Sequence, residues 1–222
     1  MKELIPILCI ALLAFNLRAQ TTVQHRDLDS VFLEQAKDEL TAQYSANKSY
    51  PKQYELAILT ALSHIPELES TCIVFKMSKI NTSLNARPKF GSGLFRRKHK
   101  RKYVVRIQPP AEDSTVTLDQ ASFNAQVGAF GHELNHLKDY SSRSFFGILG
   151  RGLAYMTSKS KEKYEKEIDQ MTIECGLGWQ LYDWSKFVVD DSIGTRKYKA
   201  FKRKTYLEPY EIKGIINSLE ND

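Results

Sequence analysis

The stretch that most constrains the fold is AFGHELNHLKDY, residues 129–140, because it places two histidines and a glutamate in one segment with helical character. His132 and His136 are four residues apart, so on an α-helix they share one face, one turn apart. There both imidazoles can reach a single Zn²⁺ at about 2.0–2.1 Å. Glu133 lies about 100° round the helix, where it can hold a water molecule and remove its proton. The stretch therefore predicts a zinc site with a general base, on a helix over about 118–140.

The same helix carries an apolar stripe on the side opposite the histidines. The stripe consists of Val127, Phe130, Leu134 and Leu137. A helix with this pattern is buried on one side, so the histidines are expected to point into a cleft. Gly128 and Gly131 lower the helix propensity by roughly 1 kcal/mol each, which is consistent with the close approach of a neighbouring strand.

The third zinc ligand is expected to be a carboxylate from another element, because no histidine follows His136 and the earlier histidines are scattered. The downstream segment EKYEKEIDQMTIECGLGW predicts a second long helix over 161–182. Glu165 is expected at the edge of its buried stripe, where a carboxylate needs a partner such as a metal. Glu167 is expected nearer solvent and stays the alternative ligand. Asp169, one turn after Glu165, is placed to accept a hydrogen bond from the outer nitrogen of a ligand histidine.

Around these two helices, the sequence predicts a mainly helical α+β fold with a small mixed sheet in the first half. The first predicted element is an amphipathic helix over 27–46, which has these residues on one side: Leu28, Val31, Phe32, Ala36 and Leu40. The others are a helix from Pro51 to before Pro66, a strand near 71–77, paired strands across 84–106 and a helix in the tail. KYVVRIQ, residues 102–108, is the clearest strand. The apolar segment RSFFGILGRGLAYM, residues 143–156, is expected to pack on the core as a short helix; an active-site lid and a membrane-touching element are the alternatives.

HELNH followed about thirty residues later by EKEID resembles the gluzincin metallopeptidases, in particular the branch with the CAAX-prenyl-protease-like enzymes and the small minigluzincins. That branch has a zinc-binding HExxH helix and then an ExxxD-type helix, usually with alanine where this chain has Ile168. The resemblance, which covers roughly residues 103–180, implies a zincin-like fold and three ligands for one Zn²⁺: His132, His136 and Glu165. It also implies that Glu133 is the catalytic base and that Asp169 supports a ligand from behind.

The resemblance further implies that an edge strand of the small sheet binds the extended backbone of a substrate. KYVVRIQ, just before the histidine helix, is where that edge strand is expected. Strand addition is a general mode of peptide recognition.

The N-terminus predicts a signal peptide over 1–19. Lys2 is followed by an apolar run from Leu4 to Phe15, and Ala19 is the expected cleavage site. The run is shorter than the 20 or so residues that span a bilayer. Residues 20–222 are then expected to form one exported metallopeptidase domain, periplasmic or extracellular, with no membrane-spanning segment.

The net charge of +6 is concentrated in two basic runs, residues 96–102 and 196–204. Such runs attract anionic polymers or lipid. Neither has a nucleic-acid-binding motif beside it, so we interpret them as a solvated turn and a solvated helix face, with no specific nucleic-acid partner. Peripheral membrane contact, the oligomeric state and a bridge between Cys72 and Cys175 stay open.

These patterns predict an exported zinc metalloendopeptidase that hydrolyses peptide or protein substrates through a zinc-bound water activated by Glu133. The alternative is a catalytically inactive zinc scaffold that binds an anionic polymer or membrane surface through its basic runs. Four phenols are candidates for stabilising an oxyanion, and the sequence does not rank them. They belong to Tyr140, Tyr155, Tyr164 and Tyr182.

Overall fold

The computed structural model describes residues 22–89, 100–111 and 115–221. The helices are α1 (Ser30–Gln35), α2 (Lys37–Tyr44), α3 (Glu55–Ser63), α4 (Phe123–Ser142), α5 (Phe145–Ala154), α6 (Ser158–Thr172), α7 (Gly178–Lys186), α8 (Arg196–Thr205) and α9 (Pro209–Asn221). The strands are β1 (Lys48–Ser49), β2 (Cys72–Met77), β3 (Leu84–Pro88) and β4 (Lys102–Ile107). The predicted signal peptide and residues 96–99 of the first basic run lie outside the described residues.

The four strands form one mixed sheet in the order β1-β2-β4-β3. β2 pairs in parallel with β1 and β4, and β3 is antiparallel to β4. This arrangement confirms a mainly helical α+β fold with a small mixed sheet in the first half.

The prediction that KYVVRIQ forms the edge strand is wrong. β4 lies between β2 and β3, and three consecutive residues, Tyr103, Val104 and Val105, are buried. A continuous buried run is typical of an interior strand, which needs apolar side chains on both faces. The strand at the edge, packed beside α4, is β3.

Helix α4 runs through the core. The Ser122 hydroxyl caps it by accepting a hydrogen bond from the Ala125 amide at 3.3 Å. The ring of Phe130 packs edge-on against Tyr54 and Phe75, with centroids 5.9 and 6.0 Å away. All four residues of the predicted apolar stripe are fully buried: Val127, Phe130, Leu134 and Leu137.

Gly128 lets α4 and α7 pack with their backbones in contact. A Cβ at this position would collide with the backbone carbonyl of Gln180. The neighbour that comes close is therefore a helix, and the expected strand is not there.

Replacing Gly128 with Ala should lower the free energy of unfolding by about 1–3 kcal/mol, because α4 and α7 must separate to admit the methyl group. Gly214→Ala is the matched control in α9, where a Cβ meets nothing within 4 Å. That change should raise stability by up to about 1 kcal/mol through helix propensity. Urea denaturation of both variants measures the difference, and equal effects would mean that α4 and α7 are not in backbone contact.

The single helix predicted over 161–182 is interrupted. Gly176 has φ = +88°, a left-handed conformation that glycine adopts without strain, so α6 and α7 are separate helices joined by a kink. In α7 Leu181 is buried, and Leu177 is buried just before the helix, whereas Trp179 and Tyr182 are only partly buried. The side chain of Gln24 bridges the kink by donating to the Ile173 carbonyl at 2.7 Å and accepting from the Gly178 amide at 2.9 Å.

The helix predicted over 27–46 is also divided, into α1 and α2, with the break at Ala36. Leu28 and Leu40 pack on the core, but Val31 and Phe32 are 69% and 63% exposed. The break changes the helical register between the two halves, so one continuous apolar stripe cannot face the core.

The prediction that residues 143–156 pack on the core is wrong for most of the segment. It forms helix α5, in which only Ile148 is buried. Four large apolar residues are more than half exposed: Phe146, Leu149, Leu153 and Met156.

Cys72 and Cys175 are free thiols. The second basic run forms most of α8, with Arg196 and Lys197 exposed. Among residues 22–89, 100–111 and 115–221, no helix has both the length and the apolar character needed to cross a bilayer.

Candidate metal centre

Three side chains bring one donor atom each to a common point. His132 Nε2 lies 3.2 Å from His136 Nε2 and 3.3 Å from Glu165 Oε2, and His136 Nε2 lies 3.1 Å from the same oxygen. In a tetrahedral site with zinc bonds of about 2.0–2.1 Å, neighbouring ligand atoms are roughly 3.3 Å apart. The triangle therefore has the dimensions of one face of a zinc coordination tetrahedron.

The first histidine is oriented from behind by Asp169. His132 Nδ1 lies 2.8 Å from Asp169 Oδ1, and Asp169 Oδ2 accepts a hydrogen bond from the Leu207 amide at 2.8 Å. Because Nδ1 carries the proton in this contact, the lone pair of Nε2 faces the other two donor atoms. Asp169 thus fixes the imidazole and also holds the segment after α8 against the site.

The second histidine is oriented through a phenol. His136 Nδ1 lies 3.2 Å from Tyr164 Oη, which donates to Asp139 Oδ2 at 3.3 Å. Arg143 and Arg151 both donate to the Asp139 carboxylate. Burial alone would raise the pKa of Asp139, but these two guanidinium groups hold it below its usual range. The Asp139 carboxylate is therefore ionised and keeps the Tyr164 hydroxyl turned away from His136.

Glu165 is buried, and its two oxygens have different partners. Oε2 faces the histidines, and Oε1 accepts a hydrogen bond from Tyr155 Oη at 2.9 Å. Burial opposes the charge on Glu165, but His136 and His132 hold its pKa well below the usual range. Glu167 instead pairs with Arg151 at 2.9 Å and does not join the cluster.

A proton on His132 offsets part of the carboxylate charge at the centre. Burial alone would lower the pKa of His132, but hydrogen bonds with Asp169 and Glu165 raise it to about 10. With the proton removed, two nitrogen lone pairs and a carboxylate oxygen meet at 3.1–3.3 Å. Such an arrangement is favourable only when a cation lies among the three atoms. The donor set, two imidazoles and one carboxylate, is one that zinc accepts.

Glu133 follows the first histidine and is placed beside the cluster. It lines a small cavity of about 50 Å³ together with His132, Asp169 and Tyr206. Within the part of the chain that the structure describes, no side chain forms an ion pair with Glu133. The carboxylate is therefore available to a water molecule in this cavity.

Tyr206 is a site residue that sequence reasoning missed. Its ring centroid lies 5.6 Å from that of His132, and the Lys202 ammonium lies 4.1 Å from its centroid. Burial, together with the nearby carboxylates of Glu165 and Glu133, raises the pKa of Tyr206 well above its usual value, so the phenol keeps its proton. No motif surrounds Tyr206, and the hydrogen bond from the neighbouring Leu207 amide to Asp169 helps to hold its segment at the site.

The structure separates the four tyrosines that the sequence left unranked. Tyr155 contacts Glu165, whereas Tyr164 lies behind His136 and Tyr140 stacks on the His136 ring with centroids 6.1 Å apart. Tyr182 packs near the Arg26 guanidinium, at 5.7 Å, and does not line the cavity that contains Glu133.

A larger cleft of about 440 Å³ opens between the edge strand β3 and helix α5. One wall is formed by residues 85–88 and the other includes Ile148, Leu149 and Tyr155. Leu84, the first residue of β3, and Ser83, just before it, line the small cavity beside Glu133. The strand edge therefore passes from one cavity to the other alongside the cluster.

Replacing Asp169 with Asn should reduce zinc affinity by roughly 10–100-fold, the usual effect of losing the partner of a ligand histidine. His132 and Leu207 contact different oxygens of Asp169, and in asparagine one of these positions becomes an NH₂ group, which cannot accept a hydrogen bond. Competition with a fluorescent chelator measures the affinity. Asp183→Asn, on the surface of α7, is the control that should leave it unchanged, and equal affinities for both variants would exclude the orienting role.

The chain matches no protein-family model, and no curated protein or solved structure is detectably similar to it. The gluzincin resemblance thus rests on the residues of HELNH and EKEID and stays a prediction.

Proposed function

We propose that this protein is a zinc-dependent peptidase that hydrolyses peptide bonds. The observation that carries the proposal is the triangle of His132, His136 and Glu165 donor atoms, with edges of 3.1–3.3 Å, beside the Glu133 carboxylate. A merely structural site would not require a carboxylate that faces a cavity next to the ligands.

Zn²⁺ bound to this triangle would make hydroxide available near neutral pH and would polarise the scissile carbonyl. Glu133 would take the proton of the attacking water and pass it to the leaving amine. The phenols of Tyr155 and Tyr206 stay protonated, because burial and nearby carboxylates raise the pKa of both groups. Tyr206 can donate a hydrogen bond to the oxygen that becomes negative during attack, whereas the single proton of Tyr155 is already donated to Glu165.

The outer edge of β3 is the proposed binding surface for the substrate backbone. The Gln108 amide donates to the Ser83 carbonyl at 2.9 Å and the Lys89 amide donates to the Lys102 carbonyl at 2.8 Å. Bonded positions alternate along an antiparallel pair, so the backbone groups of Leu84 and Ala86 point away from β4. An extended peptide can pair with Ala86 inside the cleft, whereas the Leu84 carbonyl already accepts a hydrogen bond from the Thr82 hydroxyl at 2.8 Å. Pro88, which has no amide hydrogen, ends the pairing surface.

Removing metal with a chelator should abolish cleavage of an unstructured protein substrate such as casein, and one equivalent of Zn²⁺ should restore it. The histidine and carboxylate ligands hold the ion that the chemistry needs. Fluorescence release from labelled casein measures the rate. Cleavage that survives complete removal of metal would contradict the proposed chemistry.

We also propose that the protein acts after export, through the signal peptide at residues 1–19. Mass spectrometry of the protein recovered outside the cytoplasm should find Gln20 as the first residue.

A further inference from the structure

Helix α5 presents an apolar stripe to solvent. Phe146, Leu149 and Leu153 are three and four residues apart in α5, so they share one face, and Met156 lies two residues beyond the end of the helix. Their exposed fractions are 79%, 53%, 57% and 76%. Clustered exposure of this kind marks an interaction surface rather than ordinary surface variation.

The segment that carries the stripe contains positive charge and no negative charge. Residues 141–161 include four basic side chains and no aspartate or glutamate. Arg143 and Arg151 are occupied by Asp139, whereas Lys159, just after the stripe, is exposed. An acidic partner is therefore attracted to this face without meeting a like charge in the same segment.

The basic helix α8 extends the same surface. The Lys161 ammonium lies 5.4 Å from the ring centroid of Tyr155 at the end of α5 and 4.7 Å from that of Phe201 in α8. Phe201 is 41% exposed. Residues 192–207 carry six basic side chains and no acidic one. Lys161 thus connects the end of α5 with α8, in which Arg203 is paired with Asp190 and Glu208 and the basic side chains of Arg196 and Lys197 are exposed.

We propose that this face, the α5 stripe with the basic side of α8, adsorbs to an anionic lipid surface. An amphipathic helix with protruding apolar side chains and flanking lysines is the form of an interfacial membrane element. Apolar insertion and attraction of lysine and arginine to anionic headgroups supply the two contributions that stable adsorption needs. The stripe is the convex side of a helix, which can enter a fluid interface directly, whereas a protein partner would need a matching groove.

Adsorption would place the candidate metal centre beside the lipid surface. Tyr155, at the end of α5, donates to Glu165, so the helix that enters the interface is in contact with a proposed ligand. The proposed peptidase would then find its substrates close to the membrane. The adsorption itself does not depend on zinc or on catalysis, so it can fail or succeed separately from the proposed function.

Flotation of the protein recovered after export, with vesicles of phosphatidylcholine alone or mixed with phosphatidylglycerol, tests the proposal. The wild type should float with the anionic vesicles and not with the neutral ones, and high salt should weaken its retention. The double variant Phe146→Ser/Leu153→Ser should bind anionic vesicles at least tenfold more weakly. The matched control Val31→Ser/Phe32→Ser removes equally exposed apolar groups from α1, between the acidic residues Asp29 and Glu34, and should bind as the wild type does.

Equal binding of the two double variants would overturn the assignment to α5, and so would equal binding to neutral and anionic vesicles. No flotation of the wild type would overturn the lipid partner altogether. Hydrogen exchange across residues 145–156 gives a second readout. It is specific to α5, whereas a signal peptide that had not been removed could itself make the protein float with vesicles. Vesicles should slow exchange there, and unchanged exchange would contradict the proposal.

Discussion

Glutamine in place of Glu133 should abolish peptide hydrolysis and leave the zinc content unchanged. The amide has nearly the same size as the carboxylate but cannot take a proton from water. Loss of a general base reduces rates by about 10²–10⁴-fold. Glu133 contributes no atom to the ligand triangle, so the histidines and Glu165 should bind the metal as in the wild type.

The measurement is the cleavage rate of labelled casein by zinc-loaded protein, with the zinc content determined on the same samples. Glu174→Gln is the matched control, because Glu174 is an exposed glutamate at the kink after α6. It should retain full activity. A Glu133→Gln protein that cleaved at the wild-type rate would exclude the proposed base, and one that lost its zinc would show that Glu133 holds the metal instead.

Replacing Glu165 with Ala should weaken zinc binding by more than the roughly 10–100-fold expected from losing the partner of a ligand. The change removes one of three ligands and leaves the two histidines, which cannot complete a zinc site. It also removes the acceptor of the Tyr155 hydrogen bond. Activity at limiting zinc should fall in parallel with the affinity.

Glu167→Ala is the informative control for this change. The two glutamates are on the same helix, but Glu167 pairs with Arg151 at the surface and does not face the histidines. Equilibrium dialysis against buffered zinc should find wild-type affinity for Glu167→Ala. The reverse result, zinc retained without Glu165 and lost without Glu167, would reject the proposed ligand set. Circular dichroism of both apo proteins shows whether either change disturbs the fold.

The sequence was sufficient to predict which residues could meet because their spacing is local to two helices. His132 and His136 lie one turn apart on α4, and Glu165 and Asp169 lie one turn apart on α6. The structure brings the two pairs together through the packing of α6 on α4, which the periodicity of each helix does not determine. The apolar stripe of α4 was predictable for the same reason, because helical spacing determines which side chains share a face.

Features that depend on tertiary packing were beyond the sequence. β3 lies at the edge because β4 pairs with β2 on its other side. The alternation of apolar and polar residues along a strand does not determine which strands are neighbours in the sheet. Tyr206 follows α8 and is brought to the site by tertiary contacts, among them the hydrogen bond from the Leu207 amide to Asp169 of α6. The kink at Gly176 divides a segment whose apolar periodicity is continuous. The sequence does not show the kink, because an isolated glycine is found both inside continuous helices and at helix ends.

The central claim is that a single Zn²⁺ is held by His132, His136 and Glu165. A crystal structure of the zinc-supplied protein, with diffraction data collected at the zinc absorption edge, tests it most directly. The account predicts one anomalous peak at about 2.0–2.2 Å from the two Nε2 atoms and the Glu165 carboxylate. An empty position there, or a peak ligated by other residues, would contradict it.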